Sequence, residues 1–561
     1  MGGGSSALPV AIRRTGGFEF SSTDVLRFAA AGTLALAFSL DSLRPALAQT
    51  TTWTGTSSTN WFTAGNWNNG VPTAATDAFL DTISPNATVV GTPGAVADVI
   101  DLGRNATGKL TVNGTGTLAV TAINLGINTG SSGTFVTSGA TATASADTIE
   151  VGQDGTGRIE VLAGGTVNIT TQFAIGGTGG GSGSGLVSGA NSLLDSAGAL
   201  IVAGFSDGTL RVESGGDVEG GLIAIGGDTG TTGTFDLDGA GSTAHDTGSL
   251  NLATAIGNSG TGTLNVTNGG SFESETSVIV GSFASGVGTL NVTGTDSELI
   301  SHGEFFVGAS GKGTMLVSGG GTIGIGGPAT IANAQGSEGK ATISGTDSLF
   351  NTNFDLVIGA VGKGEMTIQS AGLVISSGGT LGSASTGEGK VTVTGTDSGW
   401  ASAGLLTVGG NGKGTVDILA GGEIAGTSTI LGATLTGVGT ATVSGAGSKW
   451  TLLGDARIGY VGKGTLTISN GGAMESRTAT IGFGAIGSPT DVPANVLITG
   501  PGSIWRVTKN DNLASSLIVG SASDATLRIE NGGALEVVDS IRFALFDEST
   551  VSVTVTVRTR S

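Results

Sequence analysis

The chain has 561 residues, a formal net charge of −20, 106 glycines and no cysteine. Only 12% of the residues are charged, and prolines number nine. Glycine does not occupy every third position and apolar residues alternate in short runs throughout, so the sequence is neither collagen-like nor typical of disorder. The acidity argues against nucleic acid or an anionic membrane as a partner, because both need a basic surface.

Residues 1–48 have the features of an export signal. The apolar run FAAAGTLALAFSL over residues 28–40 is shorter than the roughly 20 residues that a membrane-spanning helix needs. Basic residues precede this run, and alanines in the spacing of a signal-peptidase site follow it: Arg13, Arg14, Arg27, Ala46 and Ala48. We therefore predict a signal peptide over residues 1–48 and an exported mature chain.

The next segment, residues 49–97, is not repeated later in the chain. It holds three of the six tryptophans, Trp53, Trp61 and Trp67. The open end of a solenoid exposes unpaired backbone and bare core, so terminal units differ from the repeat. We predict an N-terminal cap over residues 49–97, and an aromatic patch that binds carbohydrate is the alternative function of this segment.

A repeat of about fifty residues dominates residues 98–540. One half of each unit carries a short box that begins with glycine, and the boxes follow each other at steps of 50, 50, 55, 51, 50, 50 and 55 residues. The fifth residue after each glycine is apolar: Ala144, Leu194, Ala244, Leu299, Phe350, Trp400, Trp450 and Trp505. The other half carries a double glycine, and an apolar residue again stands at one fixed place: Val167, Val218, Phe272, Ile323, Val374, Ile424, Met474 and Leu535.

Each half-unit reads as three short strands joined by turns that are rich in Gly, Asn, Asp and Ser. In the strand TLTIS, for example, Leu466 and Ile468 face one side and the intervening polar residues face the other. The fold predicted for residues 98–540 is therefore all-β, a right-handed parallel β-helix of about 16 coils. Stacking should interleave the two apolar sets, so that Ile424 lies between Trp400 and Trp450 and the tryptophans point into the core.

A search for catalytic residues gives none. GTDSG, at residues 395–399, has the letters of a serine-protease nucleophile box, but its serine recurs in nearly every unit and is better explained by a bond to its own turn. The recurring serines are Ser192, Ser242, Ser297, Ser348, Ser398, Ser448 and Ser503. The only histidines, His245 and His302, do not hold matching positions, and we interpret each as a surface residue.

Metal and cofactor sites are not expected either. Two scattered histidines without cysteine do not form a zinc site. Asp296, Asp347 and Asp397 recur only every second coil, which places them roughly 10 Å apart, and we interpret them as turn residues. Carboxylates stand singly in turns, and no pair is set apart from the repeat. We therefore predict a protein that is not an enzyme and has no cofactor.

Lysine recurs with the repeat as well. Lys312, Lys363, Lys413 and Lys463 occupy GKG turns, and Lys340 and Lys390 occupy GEGK turns of the alternate half. We predict a basic ridge on an acidic rod. Solvated turns that discourage edge pairing are one interpretation, and a contact line for an acidic surface polymer is the other.

The motifs W-T-G, N-W and G-V-P of the first segment, followed by GxGTLTVSxGG and GxGSxW units, resemble the passenger region of bacterial autotransporters. The resemblance covers residues 53–538 and implies a β-helical passenger displayed on or released from the outer membrane, often as an adhesin. That family ends in a membrane β-barrel, whereas a divergent tail over residues 541–561 follows the repeat here. We therefore expect an outer-membrane translocator that acts in trans or is missing from this chain.

These patterns predict an exported, non-enzymatic cell-surface protein, monomeric, with a role in adhesion or biofilm contact. Its expected partner is a glycan or protein on a host or neighbouring cell. A β-helical polysaccharide lyase or hydrolase is the first alternative, and it requires a non-repeated carboxylate cluster in a groove. A purely structural surface spacer is the second.

Overall fold

A computed structural model describes residues 49–484, 493–508, 516–543 and 550–555; the predicted signal peptide lies outside them. The described part of the chain is a parallel β-solenoid, which confirms the predicted fold class. Every pairing between its strands is parallel, and each coil runs through three columns of strands. The described residues hold no α-helix; a single 3-10 turn spans Ala64–Asn66.

The first column contains the longer strands with alternating burial, of which TLTIS is one. Buried and outward-facing residues alternate along them, as at Leu466 and Ile468 against their threonine neighbours. The strands of the first column are Thr88–Val90, Thr107–Asn113, Ser132–Ser138, Thr156–Leu162, Ser182–Ser188, Gly208–Glu213, Thr232–Asp238, Thr261–Thr267, Val287–Thr293, Lys312–Ser318, Glu338–Ser344, Lys363–Gln369, Glu388–Thr394, Lys413–Leu419, Val438–Ser444, Lys463–Ser469, Ala494–Thr499, Ala525–Glu530 and Val551–Val555.

The second column carries the recurring apolar positions, and the third column ends each coil. The second-column strands are Ala95–Val96, Thr117–Ala119, Thr243–Asp246, Ser271–Ser274, Glu298–Ser301, Thr322–Ile325, Leu349–Thr352, Leu373–Ser376, Lys449–Leu452, Ala473–Ser476, Ile504–Val507 and Ala534–Val537. The third-column strands are Gln49–Thr52, Thr76–Leu80, Val99–Leu102, Ala122–Leu125, Thr254–Ile256, Val278–Val280, Phe305–Val307, Ala329–Ile331, Asp355–Ile358, Gly378–Leu381, Asp455–Ile458, Thr478–Ile481, Leu517–Val519 and Ile541–Phe543. Six strands run through both columns without a break: Thr143–Val151, Thr166–Ile175, Leu193–Val202, Asp217–Ile225, Gly399–Val408 and Glu423–Leu431.

The first column has 19 strands where about 16 coils were predicted. The three additional strands lie outside the repeated boxes, at Thr88–Val90, Thr107–Asn113 and Val551–Val555. Successive strands are offset by 22 residues at Thr88↔Leu110 and by 31 at Ala494↔Ala525. At a strand spacing of about 4.8 Å, 19 strands extend over roughly 86 Å.

The two apolar sets of the repeat alternate in a single interior row, as predicted. Trp400 pairs with Ile424, Ile424 with Trp450, Trp450 with Met474, and Met474 with Trp505. The row runs without interruption from Ala144 to Leu535 and is called the apolar spine below. Its tryptophans are buried. A parallel stack tolerates such large rings because each rests on an aliphatic neighbour in the next coil.

From Gly103 to Gly520, a left-handed residue follows each third-column strand. Gly359 is one example, with a φ of 67°, and a Cβ placed there would lie 2.0 Å from the carbonyl oxygen of Glu388 in the next coil. Glycine is therefore required at this corner by both backbone conformation and space. Ala203 and Ala332 are exceptions that take the same conformation with a side chain.

The spine tryptophans differ in how their indole nitrogens are satisfied. Trp400 Nε1 donates to Ser376 Oγ at 3.0 Å, and Trp505 Nε1 donates to Ser476 Oγ at 3.1 Å. Both serines lie in the preceding coil, two residues after the spine position. Trp450 Nε1 is buried and has no hydrogen-bond partner among the described residues. In the coil before Trp450, the position equivalent to these serines is Gly426, two residues after Ile424.

Gly426→Ser is expected to stabilise the protein by about 1 kcal/mol relative to Gly426→Ala, because the hydroxyl supplies the missing acceptor for Trp450 Nε1. The φ of Gly426 is not left-handed, and an added Cβ would lie 3.2 Å from the carbonyl oxygen of Ser402, a tight contact that both variants share. Denaturant unfolding followed by tryptophan fluorescence measures the difference. Equal stability of the two variants would show that the indole gains nothing from the hydroxyl.

Candidate functional site

The recurring serines serve the turns of the solenoid. Ser448 Oγ donates to the carbonyl oxygen of Ser444 in its own turn at 2.7 Å and accepts from the backbone N–H of Gly421 in the preceding coil at 3.0 Å. All seven serines are buried and accept such an N–H from the preceding coil. The predicted bond to the serine's own turn is confirmed for Ser448, and the bond to the neighbouring coil was not predicted. These hydroxyls hold structural positions in the turns.

The recurring aspartates occupy the residue before this serine. Asp296, Asp347 and Asp397 have φ angles of 62°, 62° and 63°. Asn191, Gly241, Gly447 and Gly502 take the same position in other boxes, also with positive φ. The common requirement is a left-handed backbone, which Asn, Asp and Gly tolerate best. The prediction that these aspartates are turn residues is confirmed.

Ser448→Ala is expected to destabilise the protein by about 1 to 2 kcal/mol, because it leaves the partly buried N–H of Gly421 without its acceptor and removes a hydrogen bond between coils. Ser402→Ala is the matched control, since Ser402 is also buried but its hydroxyl has no hydrogen-bond partner. That control should be neutral or slightly stabilising. Chemical unfolding of the two variants makes the comparison, and an equal loss in both would refute the role of the inter-coil bond.

The prediction of a basic ridge is wrong for Lys312 to Lys413, because glutamates lie between these lysines. Glutamates of the intervening half-units stack between the lysines, so that one row reads Lys312, Glu338, Lys363, Glu388 and Lys413. A second row, two residues further along the strands, reads Lys340, Glu365 and Lys390. We call these eight residues the lysine–glutamate ladder. The lysines of each row recur at every second coil, and the glutamates belong to the coils between them.

Ion pairs link the ladder within and between coils. Lys413 Nζ lies 2.7 Å from Glu388 Oε1, and Lys363 Nζ lies 3.0 Å from Glu365 Oε1. The hydrogen bond from Lys413 lowers the pKa of Glu388, and the hydrogen bond from Lys363 lowers the pKa of Glu365. Alternating charge makes this face a poor binding site for a polyanion, because each lysine has a carboxylate beside it.

Acid should weaken the lysine–glutamate ladder. A carboxylate whose pKa is lowered by folding stabilises the protein above its unfolded pKa, near 4.5 here, and this contribution is lost as the pH falls through the folded pKa. The effect is small, since the pairs are exposed and salt screens them. Unfolding curves at decreasing pH should show an extra loss of stability below about pH 4.5 that is absent in a Glu365→Gln, Glu388→Gln variant. A variant with the same pH dependence as the parent chain would contradict this.

The three tryptophans of the first segment are buried in the core. The ring of Trp67 packs edge-on against both Trp53 and Trp61, with centroid distances of 5.1 and 4.9 Å. Trp53 Nε1 donates to the carbonyl oxygen of Asn86 at 2.8 Å, and Trp67 Nε1 donates to that of Trp61 at 2.7 Å. Rings held in this way present no exposed aromatic platform to a carbohydrate. The boundary of the cap at residue 97 remains a prediction.

The C-terminal tail contributes strands to the solenoid. Ile541–Phe543 pairs with Leu517–Val519 in the third column, and Val551–Val555 pairs with Ala525–Glu530 in the first. Val551–Val555 is the last described strand of the first column.

A polar depression lies on the outer face of the first column. Arg211 reaches Asp238 at 3.1 Å, and Asp238 also accepts from Asn268 Nδ2 at 2.7 Å and from Thr267 Oγ1 at 2.9 Å. The hydrogen bonds from Asn268 and Thr267 lower the pKa of Asp238. Asn265 Nδ2 donates to Asp236, and Asn291 Nδ2 donates to Asn265. The depression is open and shallow, and its lining is Arg211, Asp236, Asp238, Asn265, Thr267, Asn268 and Thr293.

A second polar group forms around the histidines on the outer face of the second column. His245 and His302 are partly exposed, which confirms them as surface residues. Each has a carboxylate neighbour: His302 Nε2 lies 2.8 Å from Glu273 Oε1, and His245 Nε2 lies 3.5 Å from Glu275 Oε1. The expectation that carboxylates stand singly is wrong here, since Glu273 and Glu275 come from the single coil between the two histidines.

Further carboxylates continue along the same face. Asp195 pairs with Glu219, and Glu219 pairs with His245. Burial, followed by the charge of Asp217, raises the pKa of Asp195. Burial, followed by the charges of Asp195 and Asp217, raises the pKa of Glu219, and His245 opposes this shift. The signal was present in the sequence: Asp195, Glu219, His245 and Glu273 each follow directly after an apolar spine residue.

Comparisons with known proteins add little. No protein-family model and no curated protein matches the sequence. One solved structure that is similar is the TibC-catalysed hyper-glycosylated TibA55-350 fragment. It is 16% identical, with a TM-score of 0.24, and the match covers 76% of this chain and 99% of that fragment. Among the described residues, no helix has the length and apolar character needed to cross a bilayer.

Proposed function

We propose that this protein is an exported, non-enzymatic surface protein of the passenger type whose solenoid makes adhesive or biofilm contacts with glycans. Two features support this. The residues that recur with the repeat, the serines and the aspartates, are used inside turns. The variable polar residues face outward on a continuous stack of strands, where an extended partner can lie across several coils.

The polar depression at Arg211 is the observation that carries the proposal. Its lining combines a guanidinium, two carboxylates, two asparagine amides and two threonine hydroxyls, and all of these groups form hydrogen bonds with hydroxyls. It is open and shallow, and four successive coils contribute to it, through Arg211, Asp236, Asn265 and Thr293. A linear polysaccharide presents hydroxyls at repeated intervals, and such a ligand fits a face of this kind.

The experiment is a glycan array followed by a cell-adhesion assay with the purified chain. Arg211→Ala and Asn265→Ala should each weaken binding to the recognised glycan at least tenfold. Arg528→Ala is the matched control: Arg528 has the same place in its first-column strand and the same kind of ion pair, with Glu530 in place of Glu213, but it lies far along the solenoid. Binding that persists in all three variants would place the contact elsewhere.

The alternatives give different results in the same assay. A polysaccharide lyase or hydrolase would shorten a bound glycan during incubation, which chromatography of the reaction detects. A spacer would bind no glycan on the array and would not mediate adhesion when displayed on cells. Either result would refute the proposal.

A further inference from the structure

The histidines of this chain are brought to one place by the fold. His245 is in register with Glu273 in the next coil, and His302 follows Ser301, which is in register with Ser274. His302 therefore lies beside Glu275. The two histidines are the only ones in 561 residues, and they lie on either side of the coil that carries the two glutamates.

The side chains cross over between these positions. His245 is in register with Glu273 but its Nε2 lies 3.5 Å from Glu275, whereas His302 lies beside Glu275 but its Nε2 lies 2.8 Å from Glu273. This diagonal arrangement draws the imidazole and carboxylate groups together. The ligand atoms of Glu273, Glu275 and His302 lie within 4.8 Å of one another. His245 lies outside this group of three and adjoins it through Glu275.

One atom of the group has no hydrogen bond. His245 Nε2 is buried from solvent and lacks a partner within hydrogen-bond geometry, although the rest of the ring is partly exposed. The two histidine–carboxylate separations, 2.8 and 3.5 Å, bracket the roughly 3.3 Å between donors on a tetrahedral zinc ion. The neighbouring carboxylates Asp195, Asp217 and Glu219 add negative charge that attracts a cation.

We propose that His245, Glu273, Glu275 and His302 form a binding site for a divalent transition metal such as zinc. Two imidazoles with two carboxylates favour zinc over calcium, which takes oxygen ligands. The site joins three successive coils and lies beside a long corner of the first of them, residues 247–253. A bound ion would clamp these coils together.

The test is titration of zinc chloride into the mature chain, purified with a tag that contains no histidine. Calorimetry should show one site per chain. With only two histidines, imidazole NMR signals are assignable from the single variants, and zinc should shift both. His302→Gln and Glu273→Gln should each weaken binding at least tenfold, while circular dichroism confirms that they fold.

Glu475→Gln is the matched control, because Glu475 holds the place of Glu273 in its own second-column strand but faces Thr451 and Arg506 across the coils. Its affinity should equal that of the parent chain. Absence of saturable binding, shifts in only one imidazole, or equal affinity in the His302 and Glu475 variants would overturn the proposal. A rise in melting temperature with zinc in the parent chain, lost in His302→Gln, would support the clamp between coils.

Discussion

The structure depends on equivalent residues of successive coils lying in register, about 4.8 Å apart, along the whole solenoid. Parallel backbone hydrogen bonds set this distance. The side chains of each interior row must therefore pack against one another at that spacing. The apolar spine does so by alternating rings with aliphatic side chains, so that Trp450 rests between Ile424 and Met474. The same register lets a serine hydroxyl such as that of Ser448 bond a turn of the coil before it. Packing and turn chemistry are therefore two consequences of one constraint.

The register also determines which charges lie next to each other on the outer surface. Like charges stacked at this spacing repel each other, and opposite charges attract, so charge must alternate or be sparse. The lysine–glutamate ladder shows the first solution over five coils, where Glu338 lies between Lys312 and Lys363. The face that includes Asp195 and Glu219 does not alternate, and there burial, followed by the charge of neighbouring carboxylates, raises the pKa of both groups. Carboxylates in neighbouring coils repel each other and destabilise the folded chain. This face therefore differs from the lysine–glutamate ladder.

Much of the fold could be predicted from the sequence because the interior repeats. The spine positions, the serine turns and the left-handed aspartates recur at a nearly constant step, and the sixteen coils of the repeat followed directly. The remaining three coils lie where the repeat is absent, so the period of the sequence does not predict them. The lysine–glutamate ladder was missed for a different reason: its two signs belong to different half-units, and only the alignment of one half on the other places Glu388 beside Lys413. The grouping of His245 with Glu275 depends on side chains that reach diagonally, which no register alone reveals.

In such a protein, the outward-facing residues that depart from the repeat are the best candidates for a functional site. An interior row tolerates little variation, since a change in one coil alters the packing of both neighbours. An outward row has no such requirement, and most of it consists of threonine, serine and asparagine. Against that background, Arg211 with Asp238 and His302 with Glu273 stand out as combinations that stability of the stack does not require. Both groups draw on adjacent coils of one half of the solenoid, the half before the lysine–glutamate ladder. The ladder stacks lysines and glutamates in alternation along its rows, whereas the earlier coils carry charged and polar groups that do not repeat along a row. Groups that serve no repeated pairing are the ones that can recognise a ligand.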